Sequence, residues 1–164
     1  MERKMVLDDL KYAIKNHQKF YIKERSDNLI IGINNLVFVI PRRCYEVFNS
    51  QIYLNKYIDS SIEIPWIEYI LKRKDMHCRY DEIVTEIENK GNGITVLKSK
   101  SMTKSVKSKY LKYFNNPYFY MGKDDSMISV YEKEYNPKEG LEGFKTLEIK
   151  PEDLFPVGLI PSIV

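Results

Sequence analysis

Between residues 98 and 120 the chain reads KSKSMTKSVKSKYLKYFNNPYFY: six lysines, no acid, and then a cluster of aromatic rings. Ammonium groups gathered without carboxylates can hold the phosphates of a polyanion, and such contacts give affinity without reading sequence. Lysine in place of arginine favours loose, non-specific contact over two-pronged recognition of a base. The acid-free run is wider than this stretch. From Asn89 to Lys123 there are eight lysines and no Asp, Glu or Arg, whereas from Asp124 onward nine acids face four lysines. The net charge of +3 therefore hides an uneven distribution, with the first 88 residues in balance.

Other residues able to do chemistry are sparse. His17 and His77 are the only histidines; His77 adjoins Cys78, but His17 and Cys44 are distant, and this lacks the paired spacing of a zinc site. Cys44 would be a nucleophile only with a base folded against it, and a small, partly buried residue is the plainer reading. The seven glycines are scattered, and KGNG (90–93) is a turn, not a phosphate-cradling loop. Asp124-Asp125 fall in a turn and Glu132/Glu134 on an alternating strand, a poor basis for paired-carboxylate catalysis. These observations lead us to expect a non-enzymatic protein with no metal and no cofactor.

At 164 residues, with 43% apolar and 13% aromatic residues, the chain has the length of one domain and enough apolar mass for a core. No apolar run approaches the roughly 20 residues that cross a bilayer. The opening segment MERKMVLDDLKYAIKNHQKF carries acids and helix-period apolar residues, not a signal peptide. Two cysteines without an export signal suggest a reducing cytoplasm. Heavy use of Lys, Asn, Ile and Tyr suggests an AT-rich bacterial or phage genome.

The elements that would position the lysines follow from periodicity. Val6, Leu7, Leu10, Ala13 and Ile14 predict an amphipathic helix over 5–17. KFYIKE (19–24) reads as a strand, with turn residues at 26–28. LIIGI and LVFVI flank Asn34-Asn35, a pair suited to the positive φ angles of a tight hairpin that Pro41 ends. Short helices are expected at 42–49 and, behind Pro65, at 65–73. DEIVTEIE (81–88) and ITVLK (94–98) bracket KGNG as a second hairpin, although Ile83 and Ile87 suit a helical first arm equally well. A helix from Thr103 to Phe114 would put Val106, Tyr110, Tyr113 and Phe114 on a core face, with Lys104, Lys109 and Lys112 largely opposite and Lys107 at the border. Strands are expected at 117–121, 126–133, 146–149 and in the final VGLIPSIV. Helices interspersed with hairpins make an α+β fold of antiparallel sheets with two to four amphipathic helices.

The order of these elements, a helix, a hairpin ending near a proline, the basic KSKYLKYF, the strand SMISVYEK and the terminal VGLIPSIV, resembles one domain of the DNA sliding-clamp fold. Some phage proteins of that kind close on a similar Gly-Leu-Ile-Pro strand. In sliding clamps basic helices line the pore and sheets outside them form the subunit contacts. The resemblance thus implies a phage-encoded protein associated with DNA replication. By that resemblance Lys104, Lys107, Lys109 and Lys112 would face the DNA backbone, with Lys98 and Lys100 of the same acid-free run as further nucleic-acid-binding candidates, and a homo-oligomer would be needed to complete a ring. Against this stands the ordinary reading of a lysine face as the solvated side of an amphipathic helix.

KPEDLF offers an alternative. Asp153, Leu154 and Phe155 resemble the tail of the short peptide by which bacterial proteins dock onto their clamp, with two apolar side chains filling a groove. The chain would then be an inhibitor or adaptor of a host replication or defence protein. The plainer reading of KPEDLF is a turn leading into the last strand.

Overall fold

The computed structural model describes residues 1–25, 28–52, 81–133 and 154–163. The fold is mixed α+β, and every strand pairing is antiparallel. Helix α1 (Arg3–Lys15) buries Val6, Leu7, Leu10 and Ala13, the expected apolar stripe. Strand β1 (Phe20–Glu24) leads to the hairpin of β2 (Asn28–Ile33) and β3 (Leu36–Pro41). Asn34 and Asn35 sit at φ 53° and 66°, the left-handed pair that matches the twist of a two-residue hairpin. A 3₁₀ turn (Arg42–Cys44) and α2 (Tyr45–Ile52) follow. The helix expected at 65–73 and the strand expected at 146–149 lie outside the described residues.

A seven-stranded sheet has the order β1-β2-β3-β10-β9-β8-β4, where β4 is Glu82–Ile83, β8 Tyr118–Met121, β9 Met127–Lys133 and β10 Leu154–Pro161. A three-stranded sheet holds β5 (Glu86–Asn89), β6 (Ile94–Lys98) and β7 (Thr103–Lys107). The segment 81–88, open between helix and strand from sequence, is extended and turns a corner between the sheets. Val84 N–H donates to Phe119 C=O (2.9 Å) and Thr85 N–H to Lys98 C=O (2.8 Å).

Strand alternation divides the large sheet into two buried faces. Leu29, Ile31, Phe38, Ile40, Ile128 and Ile160 share the main core with the apolar stripe of α1 and with Leu97 and Val106 from the small sheet. Tyr21, Ile30, Val37, Val39, Met127 and Leu159 form a second cluster. The odd and even positions of β2 and β3 thus go to opposite clusters, which is why these strands read as unbroken apolar runs. Among the described residues no helix is long and apolar enough to cross a membrane.

The largest correction concerns Thr103–Phe114. This segment is not an α-helix: it is the strand β7 followed by a 3₁₀ helix over Ser108–Tyr113. The whole of β7 is taken up by β6, from Ile94↔Lys107 to Lys98↔Thr103. β-Branched Thr103 and Val106 suit that pairing, so a tertiary partner overrides the local helical period. The lysine-rich helix on which the likeness to a clamp pore rested is therefore replaced by a strand and a short turn.

Candidate functional site

The fold deals separately with the six lysines singled out in the sequence. Lys98 ends β6 opposite Glu86 of β5. Its Nζ lies 3.4 Å from Glu86 Oε1 and 3.3 Å from Glu88 Oε2. These carboxylates raise the Lys98 pKa, the hydrogen bond to Glu88 first. Lys90 Nζ is 2.7 Å from Glu88 Oε1, and that hydrogen bond is the main reason the Glu88 carboxyl sits below its ordinary value. Such exposed pairs add little to stability, but they do remove two charges from the positive face.

Lys104 shares its side of β7 with the buried Val106, so its chain runs inward. Its Nζ donates to Gly122 C=O (2.7 Å) and also to Asp125 C=O. Lys100 stands in the turn between β6 and β7. This turn is pinned by Glu82, whose Oε2 accepts from Ser99 Oγ (2.6 Å) and Ser101 N–H (2.9 Å), and whose Oε1 accepts from Ser101 Oγ (2.5 Å). The Ser101 and Ser99 hydroxyls hold the Glu82 carboxyl below its ordinary range, with a smaller contribution from Lys100.

A carboxyl depressed in this way stabilises the fold above its unfolded pKa, and the contribution disappears as pH falls through the folded value. We expect thermal stability to drop on acidification below the ordinary carboxylate pKa of 4.5. Glu82→Gln should start lower at neutral pH and lose less across that window. Superimposable melting-temperature profiles for the two proteins would refute the pinning role.

Besides Lys100, which is exposed in its turn, Lys107, Lys109 and Lys112 are the outward-facing remainder. All three are exposed, and among the described residues no carboxylate pairs with them. With three residues per turn, a 3₁₀ helix eclipses positions i and i+3. Lys109 and Lys112 therefore share one edge, roughly 6 Å apart along the axis. Tyr110 and Tyr113 share another and are turned to the core, Tyr110 being only 7% exposed. The Lys109 ammonium also lies 5.6 Å from the Tyr110 ring centroid.

The segment is fixed at both ends. Ser108 N–H donates to Gly93 C=O (2.8 Å), and Ser108 Oγ is 2.7 Å from Thr95 Oγ1. At the far end Phe38 packs on Tyr113 and Phe114, with ring centroids 5.0 and 6.1 Å away. Tyr113 OH donates to Asp9 of α1. Burial, and then that carboxylate, push the Tyr113 phenol well above its ordinary value. Val106, Tyr110, Tyr113 and Phe114 thus do face the core, as their spacing suggested, although no α-helix carries them.

The other candidates are placed as follows. Leu154 is buried at 7% in β10, opposite Lys133, while Phe155 is 50% exposed; Asp153 lies outside the described residues. Filling a partner's groove with both Leu154 and Phe155 would require β10 to leave the sheet. Cys44 is a buried thiol. Glu132 is buried against the Met1 ammonium and accepts from Asn115 N–H (3.2 Å). Among the described residues no three His, Cys, Asp or Glu side chains gather in a metal-binding group. What sequence reasoning missed is the internal use of Lys98, whose partners strand register fixes, and of Lys104, whose partners are the Gly122 and Asp125 carbonyls between β8 and β9. Comparison with family models, curated proteins and solved structures finds no match.

Proposed function

We propose that the protein is a non-enzymatic binding protein that grips a nucleic-acid backbone through Lys107, Lys109 and Lys112. The observation that carries this reading is the exposed lysine edge on a 3₁₀ segment anchored in the core by Tyr110, Tyr113 and Phe114. A rigid base matters because ordering flexible lysines at the moment of binding costs side-chain entropy. Each DNA strand presents a phosphate about every 3.4 Å along the helix axis, so a lysine pair roughly 6 Å apart spans about two of them. A place in phage DNA replication remains part of this proposal through the sequence likeness of SMISVYEK and the terminal VGLIPSIV to a clamp domain, although the pore-lining helix of that likeness is a strand and a 3₁₀ turn here.

The test is fluorescence anisotropy on labelled duplex and single-stranded DNA across about 50–200 mM salt. Three contacting lysines should give a log–log slope near −2.7 on duplex, about a 40-fold loss over that range. The triple variant Lys107→Glu, Lys109→Glu, Lys112→Glu should lose binding while keeping its melting temperature. An unchanged affinity in that variant, or no binding at the lowest salt, would sink the proposal.

A second reading, an adaptor or inhibitor that docks on a host replication or defence protein, is favoured by a different feature. Ile83 and Ile87 are 42% and 54% exposed on β4 and β5, which stand at the ends of their respective sheets. Edge strands of this kind can accept a partner's strand.

A further inference from the structure

Three glutamates that meet the acid-free run come from one extended segment, Glu82–Asn89, which runs from β4 into β5. Glu86 and Glu88 hold the Lys98 ammonium at 3.4 and 3.3 Å. Glu82 reaches the neighbouring turn, where two serine hydroxyls and the Ser101 N–H converge on its carboxylate at 2.5–2.9 Å. Lys100 adds a positive field there. Hydroxyls and a backbone N–H gathered beside two ammonium groups are the donors that hold a phosphate. In the folded chain a carboxylate takes that place.

Two observations mark the segment as displaceable. β4 is two residues long, and among the described residues β4 and β5 each end their sheet, so peeling them away opens no interior ladder. Ile83 and Ile87, its large apolar residues, are 42% and 54% exposed and bury little. Segments with few buried apolar contacts open locally at low cost. The turn they cover is continuous with the exposed lysines. Side chains alternate along β7, so Lys107 lies on the face of Thr103, whose cross-strand partner is Lys98. Lys98 and Lys107 therefore share one face of the small sheet, roughly 13 Å apart along the strands.

We infer that Glu82–Asn89 is an acidic strap that occupies a phosphate-binding turn, Lys98–Ser101, and withholds it from nucleic acid until the strap is displaced. The ligand's identity rests on the reading of Lys107, Lys109 and Lys112 as a backbone contact, and the strap adds its regulation. With the strap in place three lysines grip the backbone. With it displaced, Lys98 and Lys100 make five.

The strap variant Glu82→Ala, Glu86→Gln, Glu88→Gln tests this. Its log–log slope on duplex should steepen from about −2.7 to about −4.5, a loss of about 500-fold across about 50–200 mM salt. The control Asp8→Asn, Glu24→Gln, Glu46→Gln removes as much negative charge from exposed positions elsewhere and should keep the slope near −2.7. Adding Lys98→Gln and Lys100→Gln should return the strap variant to about −2.7. In the unaltered protein that lysine pair should cost at least about fivefold less affinity than Lys109→Gln, Lys112→Gln, a comparison that stands even where the strap variant folds poorly. Inorganic phosphate, titrated by NMR, should shift the Ser101 amide of the strap variant with a Kd at least about tenfold below that of the unaltered protein. A slope that stays near −2.7, equal steepening in the control, or equal costs of the two lysine pairs would overturn the inference. So would a Ser101 amide that ignores phosphate. An unaltered protein that binds no DNA, beside a strap variant that binds with a slope near −1.8, would sink the reading of Lys107, Lys109 and Lys112 and support the strap. Binding by neither would sink both.

Discussion

Phe38→Ala is expected to remove about 3–5 kcal/mol of unfolding free energy, a large share of the roughly 5–15 kcal/mol that holds a domain together. Phe38 is 1% exposed in β3, at the centre of the large sheet, and its ring touches the two aromatic residues that end the lysine segment. Truncation would leave a cavity bounded by β-strands on one side, which cannot collapse without breaking their ladder. Urea unfolding, with Phe155→Ala as reference, measures the effect. Phe155 is half exposed, and its truncation should stay within about 0.5 kcal/mol. Equal losses in the two variants would mean that Phe38 is not the keystone described. If Lys109 and Lys112 hold DNA as proposed, the Phe38→Ala protein, wherever it remains folded, should also bind it more weakly, because Tyr113 and Phe114 would no longer hold those lysines in place.

The second large effect is expected at Gly158. Here the constraint is contact, not backbone conformation. A methyl group would sit 2.6 Å from the Val37 carbonyl oxygen and 3.0 Å from Phe114. The first of these atoms is backbone in the neighbouring strand and cannot swing away as a side-chain tip would. Gly158→Ala should therefore cost about 1–3 kcal/mol, the usual range for overfilling a packed core. Gly91→Ala is the informative contrast. A Cβ there meets no atom within 4 Å, but the residue sits at φ +83°, so its cost would be purely conformational. Gly158→Ala should also push β3 and β10 apart, which β10 amide exchange would register.

The residues differ in how plainly they announced their roles. The Asn34-Asn35 hairpin and α1 could be read directly, because local turn chemistry and an unbroken apolar stripe each point to one structure. Residues 103–114 could be read for burial but not for conformation. Val106, Tyr110, Tyr113 and Phe114 satisfy a helical period, and they satisfy equally well a strand that delivers Val106 inward and a three-residue turn that delivers two tyrosines. Deciding between them needs β6, a partner strand whose pairing with β7 runs from Lys98↔Thr103 out to Ile94↔Lys107. The lysine band suffered from the same blindness. Counting charge along the chain stops at Asn89, yet Glu88 and Glu86 stand one and three residues beyond that limit and reach Lys98 across the ladder. The bulge in β10 left no trace in the sequence, since it is a one-residue slip in the pairing of β10 with β9.

β10 lies between β3 and β9 in the large sheet, although β3 ends at Pro41 and β10 at Pro161. During translation the β2–β3 hairpin therefore emerges with an open flank and two apolar faces, and no later strand before β10 can fill that slot. At about 5–20 residues per second the ribosome needs roughly 6–24 s to deliver it. The nascent chain must pass that interval in a state prone to self-association, or sheltered by a chaperone. Messenger features that pause the ribosome between these two points would lengthen the exposure and lower the yield of native protein.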